Sequence, residues 1–173
     1  MFPTYLQRDL HLTPGHVALP VLLQSLMFFL SGSLWGWFSD RVGRRWAIIL
    51  PAVLTIPVAP LYLLTTNYTM IVIFFTLQGA FGAGGMHAQY PAYLSERFPT
   101  EVRATAGGFV YHQGAIFGGL VGPILAYLAT DWQLGFAIPM LIGTTVACVS
   151  LVLAMAISPE TRGTALSAEL SVA

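Results

Sequence analysis

Two histidines carry the side chains best suited to chemistry in this sequence. His87 and His112 lie within long apolar stretches, and histidine is the side chain whose unperturbed pKa lies nearest physiological pH. Four glutamines interrupt stretches of the same kind: Gln24, Gln78, Gln89 and Gln113. Such side chains can bind an organic anion, and an imidazole can also relay a proton. For each histidine the alternative is a neutral ring that is hydrogen-bonded between helices purely for packing.

Other catalytic constellations are missing from the sequence. No serine stands in a G-x-S-x-G turn, no two histidines have the spacing of an H-E-x-x-H helix, and there is no Walker loop. Cys148 is the single cysteine, which excludes an internal disulfide. A formal net charge of zero without a basic tail argues against nucleic acid as a partner. We therefore expect neither an enzyme nor a bound metal or cofactor.

The composition indicates that lipid surrounds most of this chain. Of its 173 residues 56% are hydrophobic and 8% are charged, whereas a soluble domain carries about 25% charged residues. Crossing a bilayer takes about 20 apolar residues, and five stretches are long enough: about 17–38, 46–66, 69–94, 104–128 and 134–157. The sequence therefore predicts an all-α, polytopic membrane protein. Its predicted parts are an outer loop at 1–16, a five-span bundle at 17–158 and a cytoplasmic tail at 159–173.

Arginine placement predicts how these spans are oriented. One membrane side holds six arginines: Arg41, Arg44, Arg45, Arg97, Arg103 and Arg162. The other side holds only Arg8. Because basic residues accumulate on the cytoplasmic side, we expect the N-terminus outside the cell membrane and the C-terminus in the cytoplasm.

The predicted spans place the two histidines at one depth. His87 lies seven residues before Leu94, at the end of the third span, and His112 lies eight residues after Ala104, at the start of the fourth. At a rise of 1.5 Å per residue, both lie roughly 10–12 Å from the same membrane surface. We therefore expect at least one of them to face a cavity.

The spans differ in polarity. The first, third and fourth carry the amides and imidazoles, which are costly in hydrocarbon and usually face a bundle interior or a watered cavity. The second and fifth carry only hydroxyls and prolines as interruptions, so we expect them to sit outside as support. Glycines at 79, 82, 84 and 85, and at 114, 118 and 122, predict close packing between helices.

A charged turn lies between the first two spans. Residues 36–45 read GWFSDRVGRR, with the pattern G-x-x-x-D-R-x-G-R-R. This pattern resembles the loop signature of the major facilitator superfamily, which follows the second or the eighth of twelve spans. Residues 93–105, YLSERFPTEVRAT, look like the loop between spans ten and eleven of its organic-acid and sugar branches. Residues 159–163, PETRG, look like the motif after the last span of sugar porters, and residues 111–119, YHQGAIFGG, are similar to the sialate and lactate proton-symporter group.

The resemblance implies a secondary transporter that works by alternating access. The five spans would be spans eight to twelve, and residues 1–5 the outer end of span seven. The expected activity is proton symport of a small organic acid such as a monocarboxylate or sialate, with an N-terminal half supplied by the same gene or a companion chain. The alternatives are a sugar or other metabolite transporter, a truncated inactive fragment, or an interaction subunit. A first half that lacks its first span would have the same topology.

The resemblance also implies a latch on the cytoplasmic side. The motif and its charged neighbours are Gly36, Asp40, Arg41, Gly43, Arg44, Arg45, Glu96, Arg97, Glu101, Arg103, Glu160 and Arg162. They would hold the bundle closed on that side in the outward-facing state, and the alternative is that the arginines serve only to orient the chain. We expect Asp40 to stabilise the dipole of the helix that starts near Trp46.

Overall fold

The computed structural model describes residues 1–163, and every regular element among them is helical. There are seven α-helices and one π-helical segment: α1 (Phe2–Arg8), α2 (Pro14–Val42), α3 (Arg44–Leu63), α4 (Tyr68–Gln78), the π-helical segment (Gly79–Met86), α5 (Tyr90–Arg97), α6 (Arg103–Thr130) and α7 (Ala137–Ile157). Residues 164–173 of the predicted tail lie outside the described residues.

Five of the described helical stretches are long and apolar enough to cross a membrane. They are α2, α3, the continuous run from α4 through the π-helical segment to α5, α6, and α7. The prediction of an all-α, five-span protein is therefore confirmed. α2 continues to Val42, so Asp40 and Arg41 belong to its last turn, and Gly43 with a φ of 111° separates it from α3.

Helix α3 lies at the centre of the described bundle. It packs against α7 on one side and against α4 and the π-helical segment on another. More than half of its apolar length is buried, whereas α6 is almost entirely exposed. That the second span supports the cavity-lining spans from outside stays a prediction. Small residues such as Ala47, Ala52 and Ala59, all fully buried, let neighbouring helices approach α3 closely.

The glycines of the π-helical segment pack as their spacing predicted. A Cβ on Gly79 would collide with the carbonyl oxygen of Gln24 in α2, and one on Gly85 would collide with Pro51 in α3. The stripe on α6 behaves differently, because no atom lies within 4 Å of a Cβ built at Gly114, Gly118 or Gly122. Nothing in the described part of the chain covers that face of α6.

The short helix α1 closes the bundle at the end opposite the charged turn. The Phe2 ring stacks on Phe75 of α4 at 3.6 Å between centroids, and the Tyr5 hydroxyl donates to the carbonyl of Leu63 at 2.9 Å. Burial, with the nearby charge of Asp9, raises the pKa of the Tyr5 phenol. The Asp9 carboxylate accepts from the amide of Phe136 at 2.7 Å. Contacts of α1 and its following turn thus join the ends of α3, α4 and α7.

Candidate functional site

An open cleft lies where α2, the π-helical segment and the early part of α6 meet. Its lining includes Phe28 and Phe29 from α2, His87 and Tyr111, and it has a volume of about 420 Å³. It continues past His87 and Tyr111 into a further space of about 630 Å³ towards α7. We call this connected region the His87 cleft.

His87 is the chemically distinctive group in the cleft. It follows directly on the π-helical segment, and its exposed ring meets the edge of Phe28 at 6.5 Å between centroids and lies 5.2 Å from the ring of Tyr90. No hydrogen bond to its ring nitrogens occurs among the described residues. Gln24 and Ser25 join it around a smaller recess of about 220 Å³. The structure thus brings one predicted glutamine and one predicted histidine together.

His112 points elsewhere. It is exposed on α6, and its ring lies 5.9 Å from the ring of the preceding residue, Tyr111, between centroids. Neither it nor Gln113 lines the His87 cleft. Consecutive helix residues are about 100° apart around the axis, so Tyr111 reaches the cleft and His112 does not. Sequence reasoning missed Tyr111, although a phenol in an apolar span is itself a polar signal.

The two remaining glutamines lie inside the helix packing and not in the cleft. Gln89 is 1% exposed, and its side-chain nitrogen has no partner in the described structure. Gln78 has a buried side-chain oxygen without a partner among residues 1–163 and lies against Gly82, where Thr55 of α3 also approaches. Neither amide lines the His87 cleft.

The charged turn forms a second candidate region at one end of the bundle. Arg44 is its centre: the guanidinium donates to Glu96 of α5 at 3.0 Å, to Asp40 at 2.5 Å and to the Ser39 hydroxyl at 2.9 Å. The other oxygen of Glu96 accepts from the Thr161 hydroxyl at 2.6 Å. We call this the Arg44 network. It ties the α2–α3 turn to α5 and to the segment after α7.

Glu160 caps the first turn of α3. Its carboxylate accepts from the backbone amides of Arg44 at 2.8 Å and Arg45 at 3.2 Å, as well as from two amides of its own segment, at 161 and 162. A Cβ on Gly43 would lie 2.5 Å from one of its oxygens. The carboxylate that caps this helix end is therefore that of Glu160, and not that of Asp40. Asp40 belongs to α2, and its carboxylate accepts from the Arg44 side chain. Glu160 lies 116 residues after Arg44 in the sequence.

The other predicted members share this end of the bundle without forming ion pairs in the described structure. Arg97 donates to the Tyr93 hydroxyl at 3.2 Å, and Arg103 donates to the carbonyl of Ser95 at 2.8 Å. Glu101 is exposed, and a Cβ on Gly36 would have open space around it.

Three further arginines complete this end of the bundle. Arg45 donates to the carbonyl of Ala156 in α7, Arg162 donates to the carbonyl of Arg41, and Arg41 stacks on Trp37 at 3.6 Å. The spacing of the arginines in the sequence therefore identified the end of the bundle at which they lie, but not the groups that each arginine contacts.

Comparisons with known proteins agree on one family. The chain matches the model of the Major Facilitator Superfamily over residues 1–171. It is 35% identical over 153 residues to a probable 4-methylmuconolactone transporter of Cupriavidus pinatubonensis, covering 88% of this chain and 35% of that protein. It is 25% identical over 133 residues to a cis,cis-muconate transport protein of Acinetobacter baylyi, covering 77% of this chain and 32% of that protein. The chain thus spans about a third of the length of these relatives.

A solved structure shares the fold. The xylose transporter XylE from E. coli, in an inward open conformation, superposes with a TM-score of 0.72 at 19% sequence identity. The match covers 92% of this chain and 43% of that chain. At this identity the match shows a common arrangement of helices.

Proposed function

Because this chain belongs to the major facilitator superfamily and is an integral membrane protein, we propose that it forms the C-terminal portion of a secondary active transporter for a small organic acid. In this proposal the acid is carried by proton symport, and the matched relatives named for muconate and methylmuconolactone support the substrate class. A monocarboxylate or a sialate belongs to the same class.

The observation that carries the proposal is the position of His87. Its ring nitrogens are free of hydrogen bonds within the described residues, and the ring faces an open cleft beside Gln24, Ser25 and Tyr111. Binding sites of this kind are mostly apolar with a few polar groups that orient the ligand. A protonated imidazole attracts a carboxylate, and the bound carboxylate in turn favours the protonated ring. One residue can therefore couple the acid to a proton.

The rest of the cavity is proposed to come from an N-terminal half, in the same gene or as a companion chain. Two observations support this: the chain spans about a third of its relatives, and α6 is left almost uncovered. We propose an orientation with the N-terminus outside and the C-terminus in the cytoplasm of a cell membrane, since the arginine-bearing segments meet at one end of the bundle.

The Arg44 network is the proposed cytoplasmic latch. The Arg44–Glu96 ion pair and the Thr161–Glu96 hydrogen bond together join three segments that are distant in sequence, as a latch between helix ends requires. An exposed ion pair such as Arg44–Asp40 is worth only about 0–1 kcal/mol, so it can break and re-form during each transport cycle. The Arg44–Glu96 pair is better shielded than the Arg44–Asp40 pair, because the Asp40 side chain is 67% exposed and that of Glu96 is 15% exposed.

Uptake by a chimaera tests the assignment of His87. This chain would replace the matching segment of the 4-methylmuconolactone transporter of Cupriavidus pinatubonensis, and uptake of radiolabelled muconate and methylmuconolactone would be measured from pH 5 to 8. His87→Gln should weaken apparent affinity roughly tenfold to a hundredfold, the loss expected for a hydrogen bond to a charged group. The substitution should also flatten the dependence of uptake on pH.

His112→Gln is the matched control. It makes the same substitution at a histidine that follows the cleft residue Tyr111 in sequence but does not line the cleft itself. It should leave both affinity and pH profile unchanged. If His87→Gln retains the parental affinity and profile, His87 does not handle substrate or protons. Uptake of a sugar instead of an acid by the chimaera would favour the sugar-transporter alternative, and an inserted but inactive chimaera would favour a fragment or an interaction subunit.

A further inference from the structure

We propose that Arg103 binds the carboxylate of the transported acid at a second position, between His87 and the charged end of the bundle. The proposal rests on the proposed function, because its ligand is the acid that binds beside His87. Arg103 then receives the acid as it leaves the His87 cleft towards the charged end, and it meets the acid first when the acid enters from that end.

A cavity of about 350 Å³ lies between α5 and the first turns of α6. Arg103 is the one charged side chain among the described residues that line this cavity. Gly107 and Gly108 form part of its wall, and a Cβ built at either position would meet open space. The cavity therefore has room for a small ligand beside a single positive charge.

The Arg103 side chain is half-buried and is anchored through one nitrogen. Its Nε donates to the carbonyl of Ser95 at 2.8 Å and to the carbonyl of Phe98 at 3.2 Å. Within residues 1–163 the two terminal nitrogens of this guanidinium make no hydrogen bond, and the ion pairs all involve Arg44. A guanidinium that is fixed in this way presents its terminal N–H groups in one plane, and such a fork matches the two oxygens of a carboxylate.

Tyr111 connects this cavity with the His87 cleft. Tyr111 and Leu94 line both spaces. Arg103 lies eight residues before Tyr111 on α6, which is about 12 Å at a rise of 1.5 Å per residue. An acid that leaves His87 towards the charged end therefore passes Tyr111 and reaches the space beside Arg103. A positive charge on such a path raises the local concentration of an anion and the rate at which it binds.

The first experiment measures how fast phenylglyoxal modifies each arginine of the purified 173-residue chain in detergent micelles, by mass spectrometry of its peptides. The added ligand is cis,cis-muconate, and its uncharged dimethyl ester is the control ligand. Because a bound carboxylate shields the terminal nitrogens, we expect saturating muconate to slow the modification of Arg103 about fivefold. The ester should have no effect.

Arg97 is the internal control in the same molecule. It lies at the same end of the bundle, but its guanidinium donates to the Tyr93 hydroxyl, and it does not line the cavity beside Arg103. Its rate of modification should not change with muconate. The subsite is overturned if muconate slows Arg103 and Arg97 equally, or if it slows neither.

The second experiment measures transport of muconate by the chimaera with the 4-methylmuconolactone transporter, in membrane vesicles of both orientations. Arg103→Gln should raise the KM for muconate about fivefold when the acid is added at the charged end, because a charge-assisted hydrogen bond is lost at a partly exposed group. The KM from the opposite end should stay within about twofold, because an acid from that end reaches His87 first. A purely structural role of Arg103 predicts equal changes from both ends.

Arg103→Lys separates the charge from the anchoring of the side chain. Lysine and glutamine both lose the bonds from Nε to the carbonyls of Ser95 and Phe98, but lysine keeps the positive charge. We therefore expect Arg103→Lys to keep the KM from the charged end within about twofold of the parental value. Equal losses in the two variants would show that Arg103 acts through the fold, which would overturn the subsite.

These results distinguish the subsite from the proposed function. If acid uptake depends on His87 but muconate does not protect Arg103, only the subsite is wrong. If the chimaera transports no acid, the proposed function fails, and the modification of Arg103 in the purified chain decides the subsite by itself.

Discussion

Substituting Gly43 by alanine should destabilise the bundle through two separate effects. The backbone at Gly43 has a φ of 111° and a ψ of 155°, a region that only glycine adopts readily, and forcing another residue there costs about 1–3 kcal/mol. The new Cβ would also lie 2.5 Å from the Glu160 carboxylate and displace it from the first turn of α3. Loss of such a cap costs about 0.5–2 kcal/mol. The free energy of unfolding should therefore fall by about 1.5–5 kcal/mol.

Glu160→Ala removes the cap alone and should cost about 1–2 kcal/mol, which includes the favourable charge at the helix N-terminus. Each single substitution removes the interaction of the Glu160 carboxylate with the first turn of α3, so the double variant Gly43→Ala with Glu160→Ala loses this interaction only once. Its cost should therefore be smaller than the sum of the single costs by about 1 kcal/mol. Unfolding of the purified chain in detergent micelles, followed by tryptophan fluorescence and circular dichroism, measures all three values.

Glu101→Ala is the control for removing a carboxylate at this end of the protein. Glu101 is exposed and has no ion-pair partner among the described residues, so this change should stay within about 0.5 kcal/mol. The reasoning is refuted if Glu160→Ala is as mild as Glu101→Ala. It is also refuted if the costs of Gly43→Ala and Glu160→Ala simply add, because the two changes then act on unrelated interactions.

Two further predictions concern packing and orientation. Gly84→Ala should cost about 1–3 kcal/mol in the same unfolding measurement, because its Cβ would collide with the Ser31 hydroxyl and lie 2.8 Å from the carbonyl of Phe28. Gly118→Ala should hardly change the free energy of unfolding of the purified chain, since its Cβ would meet open space. If Gly84→Ala and Gly118→Ala lower the free energy of unfolding equally, the packing argument is wrong. Single cysteines in place of Arg8 and Arg162 should react with an impermeant maleimide from opposite sides of the membrane, and labelling of both from one side would rule out the proposed topology.

The five-span, all-α architecture could be predicted from the sequence because it depends on local composition. A run of about 20 apolar residues in lipid must be helical, since only a helix satisfies its own backbone hydrogen bonds. The signature at residues 36–45 likewise sufficed to predict the superfamily, because it consists of neighbouring residues whose types and spacing are visible directly. For the same reason the sequence identified which end of the bundle collects the arginines.

The partners of individual side chains were decided by the tertiary structure. His112 and Tyr111 are adjacent in sequence, but a rotation of about 100° per residue turns the tyrosine into the cleft and the histidine away from it. Glu160, rather than Asp40, caps α3, because α7 returns the chain to the turn that holds Gly43. Composition and periodicity fix which segments are helices and roughly where they end. The rotation of each helix about its axis, and which distant segment reaches its ends, follow only from packing the helices against one another.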